Sequence, residues 1–261
     1  LSICAFWQLY DNVVPLILKK TFGIPDGPSG IIMSLDNILA LFLLPLFGAL
    51  SDKTSTRLGR RTPFILGGTA AAVLLMNLLP VADASHRFVL FIVSLGLLLI
   101  AMGTYRSPAV ALMPDVTPKP LRSKGNAIIN LMGTLGGIYT LIVTKFLVFK
   151  RADGTDNYAY LFVAVAVLMV AAVAVLMVTV KEKKLAAETA AINDAYDAQE
   201  AAKLPPAERE AEAAARKKAR AGLKSLSPEV RKSLMLILFS VFFWFMGYNA
   251  VTTVFTKYVE A

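Results

Sequence analysis

Residues 45–66, PLFGALSDKTSTRLGRRTPFIL, constrain this chain more than any other stretch. Two long apolar runs meet there across a short loop that carries Lys53, Arg57, Arg60 and Arg61 against a single acid, Asp52. Lys and Arg resist transfer to the outer side of a membrane, so a tight cationic turn between two segments of membrane length reads as a cytoplasmic hairpin that orients both helices. A span needs about 20 apolar residues at about 1.5 Å each. Seven segments fit: roughly 1–18, 30–50, 62–81, 88–113, 126–149, 158–180 and 232–256.

The connecting loops alternate in charge. The first, third and fifth hold five cations (Lys19, Lys20, Arg87, Lys150 and Arg151), whereas the short second and fourth hold seven, and the sixth adds twelve between Lys181 and Lys232. The even-numbered loops and the amino terminus are therefore expected in the cytoplasm. Hydrophobic residues make up 56% of the chain and its mean hydropathy is +0.62, too apolar for an ordinary soluble domain. The net charge of +9 resides in loops between apolar runs, with no interleaved aromatics, which argues against nucleic-acid binding. One cysteine, Cys4, and one histidine, His86, leave no internal disulfide and none of the usual His- or Cys-rich metal sites. The chain opens on Leu1 inside an apolar run and stops at Ala261 just past another, so it reads as a fragment.

The sixth loop differs from the rest. Residues 181–229 are rich in Ala, Glu, Lys and Arg, are broken by Pro205 and Pro206, and place Glu208, Glu210 and Glu212 ahead of Arg216, Lys217, Lys218 and Arg220 for pairing along an exposed helix. Two solvated helical pieces are expected there, serving as a connector or a docking site for a partner. Ser227, Pro228 and Glu229 form a helix start: a capping hydroxyl, a proline in the first turn and an acid beside the positive helix end. The expected organisation is all-α, with a six-helix membrane unit over 1–181, a cytoplasmic connector over 182–229 and the first helix of a second half over 230–261. That layout matches half-bundle transporters whose substrate site lies between two halves near mid-membrane.

Ionisable groups inside spans are costly, so each is a candidate functional residue. Asp11 falls on a polar stripe of the first helix with Cys4, Gln8, Asn12 and Pro15. Asp36, followed by Asn37, lies about two turns from the outer end of the second helix. Arg106 cannot shed its proton and must find a carboxylate, carbonyls, water or a ligand; Gly103 and Pro108 loosen its helix. Each could instead be a structural partner of a neighbouring helix. Lys145 can snorkel to the surface. Asn126, Asn130, Thr134, Gly137 and Thr144 trace one face of the fifth helix, and Gly133 with Gly137 forms a GxxxG packing motif. Trp244, Tyr248, Asn249 and Thr252 make a similar face in the seventh, suited to a sugar ring or to packing.

These residues resemble the major facilitator superfamily, and within it the glycoside–pentoside–hexuronide:cation symporters on the sucrose–proton branch. The resemblance rests on Gly48-Ala49-Leu50-Ser51-Asp52 continuing through Arg57, Gly59-Arg60-Arg61 and Pro63-Phe64. It is reinforced by Arg106, Pro108, Ala111-Leu112, Asp115, Arg122 and Asn126. It implies a substrate or coupling role for Arg106. The loop motif is expected to act as a conformational latch: Gly48 permits close approach to a helix of the other half, and Asp52 accepts hydrogen bonds from Arg57 or Arg61 at a helix amino terminus, with Arg60 beside them. Two departures bear on coupling. The paired aspartates of sodium symporters are replaced by Ala40 and Leu44, and the acid that precedes the arginine in sucrose–proton symporters is replaced by Leu95. A proton carrier would then be Asp11 or Asp36.

The expected function is proton-coupled symport of a sugar or glycoside by alternating access, in a monomer of the plasma or inner membrane surrounded by lipid. Gln8, Asn12, Asn130, Trp244, Tyr248 and Asn249 would line the substrate path beside Asp11, Asp36 and Arg106; no cofactor or metal is expected. The alternatives are an exporter or proton antiporter of amphipathic compounds and a non-transporting receptor on the same fold. No HExxH, GxSxG or His–carboxylate pair suggests an enzyme.

Overall fold

A computed structural model describes residues 1–151, 154–203 and 227–259. The paired charges from Glu208 to Arg220 and the Pro205–Pro206 break lie outside the described residues. The helices are α1 (Ser2–Lys20), α2 (Asp26–Lys53), α3 (Thr62–Ala84), α4 (Phe88–Val116), α5 (Arg122–Leu147), α6 (Ala159–Thr179), α7 (Glu182–Lys203) and α8 (Pro228–Val259). A 3-10 turn, Lys119–Leu121, leads into α5. A two-residue hairpin, β1 (Phe149–Lys150) against β2 (Asp156–Asn157), joins α5 to α6. The chain divides into two compact units, Leu1–Asn193 and Asp194–Ala261.

Five described helices, α2 to α6, are long and apolar enough to cross a membrane, α5 together with the 3-10 turn before it. The first helix is not among them, because Gln8, Asp11 and Asn12 lower its hydropathy. Yet α1 is the hub of the first unit, packing on α2, α5 and α6. Phe6, Leu9, Tyr10, Val13, Val14, Ile17 and Leu18 are buried along it, while Cys4 and Asp11 stay exposed. Helix α4 packs on α2 and α3, and α3 packs also on α6. Thus α1 lies against α5 as α4 lies against α2, the exchange expected of two three-helix repeats. Helices α2 and α5 bury little and expose Ile31, Leu41, Phe42, Ile128, Leu131 and Phe146. In water such surfaces would aggregate; an apolar solvent suits them.

One boundary moves a candidate residue relative to expectation. Helix α2 begins at Asp26, on an extended Pro25, so Asp36 lies ten residues in, about 15 Å from the end and nearer three turns than two. Helix α8 begins at Pro228, where Ser227 Oγ accepts from Val230 N at 3.4 Å, the expected cap. Lys145 is exposed in the last turn of α5.

At the end of the bundle opposite the 45–66 hairpin, Asp83 is 0% exposed and bonded from two sides. Arg151 Nη2 donates to its Oδ2 at 2.7 Å and Thr21 Oγ1 to its Oδ1 at 2.6 Å. This ties the ends of α1 and α3 to the α5–α6 connection. Removing one member of a buried pair strands the other, at about 3–5 kcal/mol. Asp83→Asn is therefore expected to lower the thermal midpoint of the detergent-solubilised protein sharply, with partial recovery when Arg151→Gln is added; an unchanged midpoint would remove this cluster from the fold's main supports.

Candidate functional site: a cleft around Arg106 and a cationic loop

Three helices deliver the cleft. Trp7 comes from α1, Asp36, Ala40, Leu43 and Leu44 from α2, and Leu99, Gly103 and Arg106 from α4; together they line a narrow cleft. Gly103 makes room for α2, since a Cβ there would stand 3.1 Å from the Leu43 side chain. Ser107 Oγ donates to Leu44 O at 2.8 Å and Tyr10 Oη to Met33 O at 3.2 Å, pinning the walls to one another.

Among the described residues Arg106 makes no ion pair. Its guanidinium carbon lies 5.4 Å from the centroid of the Trp7 ring, where the π-face attracts a cation. The indole is itself held edge-on by Phe6 at 5.3 Å and Tyr10 at 5.4 Å. Its Nε1 is buried without a hydrogen-bond partner among the described residues. Asp36 is half-buried and accepts from Asn37 N at 2.6 Å and Asn37 Nδ2 at 2.8 Å. Asp36 and Arg106 therefore line one cleft from α2 and α4, under the Trp7 ring.

The other expected residues divide. Gln8 and Asn12 are half-buried on α1, and Asn12 Nδ2 donates to Gln8 O at 2.7 Å. Asn130 is exposed on α5, its carbonyl accepting from Thr134 Oγ1 at 3.2 Å. Trp244 lies on α8, in the second unit; the side chains of Tyr248 and Asn249 lie outside the described residues. Trp7 was not anticipated, although it sits one turn before Asp11, beside the polar stripe. Ala40 and Leu44, the apolar replacements, do line the cleft.

The 45–66 loop builds a second cluster. Arg61, with a side chain only 7% exposed, pairs with Asp52 at 2.5 Å and with Asp115 on α4 at 3.0 Å. Its Nη1 also donates to Ser51 Oγ at 2.5 Å. Arg60 adds a 3.3 Å contact to Asp115. Asp115 was noticed in the sequence, but its role as the shared acceptor was not. Of the two partners expected for Asp52, Arg61 takes the place and Arg57 stays exposed. Asp52 lies at the end of α2, not at a helix amino terminus; the carboxylate at the start of α3 is Glu182, which accepts from Thr62 N at 2.9 Å. Gly48 closes on α4 of this same bundle, where a Cβ would meet Ser107 Oγ at 3.2 Å. The reason is proximity: α2 and α4 are already neighbours, so the small residue serves their crossing.

Comparison with known proteins agrees with this architecture. The Major Facilitator Superfamily profile matches residues 1–261. The human "Proton-associated sugar transporter A" is 32% identical over 170 residues, covering 59% of this chain and 22% of the relative. The Arabidopsis thaliana "Sucrose transport protein SUC3" is 30% identical over 153 residues, 51% of this chain and 25% of the relative. The "Sucrose transport protein SUT3" of Oryza sativa subsp. indica is 28% identical over 153 residues, 51% and 30% respectively. The matched region thus spans about a quarter of the length of these curated relatives. No solved structure matches. On the profile match, over a bundle whose apolar helices make it a multi-pass membrane protein, the chain belongs to the Major Facilitator Superfamily.

Proposed function

We propose that the full-length protein carries a sugar or glycoside together with a proton by alternating access, with the cation-rich end of the bundle in the cytoplasm. The observation that carries this reading is Arg106, a permanent cation without an ion-pair partner among the described residues, held over Trp7 in a cleft shared with Asp36. Arg106 offers N–H donors and Trp7 an aromatic plane, a combination that suits hydroxyl-rich rings. Asp36 or Asp11 takes the proton, because an acid exposed to alternating solvent and close to a second acid responds to occupancy. Protonation removes a negative charge from the cleft that Arg106 also lines, and so couples proton occupancy to the way the guanidinium meets substrate. The latch formed by Gly48, Asp52, Arg57, Arg60 and Arg61 stabilises the outward-facing state and opens as the halves rock. A ligand moves that equilibrium only through unequal affinity for the two states. The sugar-transporting names of the matched relatives and the apolar Ala40 and Leu44, which offer no sodium ligands, support the same reading.

The test is uptake by the full-length protein in proteoliposomes, using labelled sucrose and a panel of glycosides. An inward proton gradient is expected to accelerate uptake at least tenfold, and a protonophore to abolish the acceleration. The largely aliphatic lining from Ala40 to Leu99 favours a second reading, export of amphipathic compounds against protons. Sugar uptake indifferent to the gradient, with proton-driven loss of an amphipathic cation, would replace symport by that alternative.

A further inference from the structure

The first turn of α7 does something that a linker between two bundles has no need to do. Glu182, 3% exposed, inserts its carboxylate into the start of α3. Oε1 accepts from Arg60 N at 2.7 Å and Arg61 N at 3.0 Å, and Oε2 accepts from Thr62 N at 2.9 Å and Thr62 Oγ1 at 2.7 Å. These are the orphan donors of a helix start, where negative charge is also favoured by the helix dipole. The loop is shaped for the carboxylate. Gly59 sits at φ +132, and a Cβ there would fall 2.1 Å from Glu182 Oε2. Eleven residues later, Asn193 Oδ1 accepts from Lys119 N at 2.8 Å. Helix α7 therefore runs from the α2–α3 loop to the α4–α5 connection, and the compact first unit ends at that same Asn193.

We propose that Glu182 is a positioning residue of the latch: it fixes the backbone from which Arg60 and Arg61 reach Asp115 and Asp52, and makes the opening turns of α7 travel with that loop. The inference rests on the alternating-access role proposed above for the latch. Both arginines that Glu182 holds through their N–H groups are the ones whose side chains make the ion pairs, while Arg57, which it does not touch, makes none among the described residues. Burial alone would raise the Glu182 carboxyl, but the bonds from Thr62 Oγ1 and the N–H groups of Arg61, Thr62 and Arg60 outweigh it and hold the group below the ordinary carboxylate range. Its contribution is complete above that range and is lost only as pH falls through the lowered value, so at cellular pH the contact is a constant clamp.

The experiment uses the full-length protein in nanodiscs and proteoliposomes, comparing Glu182→Ala, Glu182→Gln and Gly59→Ala. Glu182→Ala is expected to speed amide hydrogen exchange of residues 60–62 at least tenfold. It should also lower maximal transport at least threefold, with equilibrium sucrose affinity unchanged. Glu182→Gln should fall between, and Gly59→Ala, which expels the carboxylate without removing it, should reproduce the Ala result. Unchanged exchange at residues 60–62 would overturn the contact. Faster exchange with unaltered maximal rate would reduce Glu182 to a helix cap and overturn its positioning role. If the wild type moves no sugar, the transport reading fails on its own. The clamp is then judged by exchange together with spin-label distances between residues 57 and 119, expected to broaden in Glu182→Ala; an unbroadened distribution would overturn it.

Discussion

Replacing Arg106 with glutamine in the full-length protein is expected to cut sugar uptake by about ten- to a hundredfold while leaving the protein folded and monodisperse. The size follows from what the guanidinium can contribute. Hydrogen bonds from a charged donor are worth about 1.5–3 kcal/mol, and each 1.4 kcal/mol is about tenfold. Because Arg106 makes no ion pair among the described residues, its loss strands no buried carboxylate at contact distance, and the fold should survive. Arg106→Lys is the sharper control. It restores a positive charge near Asp36 but not the planar fork or its stacking on Trp7, so it should recover only a small part of the loss. Trp7→Phe keeps a ring under the cation but removes the unpartnered Nε1 donor, and Trp7→Ala removes both. Arg106→Gln and Trp7→Ala together should cost less than the sum of the two alone, by about 1 kcal/mol, since they destroy one shared contact. Undiminished uptake in Arg106→Gln would remove the cleft from the substrate path.

Much of the membrane architecture was legible in the chain, because spans, cationic turns and intramembrane charges are all set by the cost of placing polar groups in oil. Arg106 stood out for that reason, and so did the 45–66 hairpin. What was not legible depends on which faces meet. Trp7 counted as one more apolar residue until α4 brought Arg106 over its ring. Asp83 and Arg151 lie 68 positions apart, and nothing local announces that they share a buried site. Glu182 looked like the first charge of a solvated connector; only the fold shows it 120 residues back along the chain, at the start of α3. Asp52 was expected at a helix amino terminus as part of the loop motif, yet it lies at the end of α2, and a more distant carboxylate occupies the start of α3.

The glycines of α5 give the second large expectation. The sequence pairs Gly133 with Gly137 as a GxxxG, yet the close approach to α1 falls on Gly133 and Gly136. A Cβ at Gly136 would lie 2.3 Å from the carbonyl oxygen of Leu1, one at Gly133 3.0 Å from Cys4 Sγ, and one at Gly137 an ordinary 3.6 Å from Gln8 Oε1. The obstacle at Gly136 is main chain, which cannot swing aside as a side-chain tip can. Relief would require α1 and α5 to separate, and one turn further on Thr140 Oγ1 donates to Ala5 O at 3.0 Å across that same crossing. Overpacking costs about 1–3 kcal/mol, and the lost hydrogen bond adds about 1 kcal/mol. Gly136→Ala is therefore expected to lower the thermal midpoint by several degrees and Gly136→Val to prevent accumulation of folded protein. Gly133→Ala should cost less, because the thiol can move, and Gly137→Ala should be nearly silent. Fluorescence-detected unfolding of the three alanine variants in detergent, with the yield of monodisperse protein for Gly136→Val, makes the comparison. A larger loss in Gly137→Ala than in Gly136→Ala would restore the four-residue spacing as the contact face and rotate α5 by about 100° against α1. That rotation would carry Asn130 and Thr134 to a different side of the helix, so the order of these midpoints also decides which polar residues of α5 can reach the cleft.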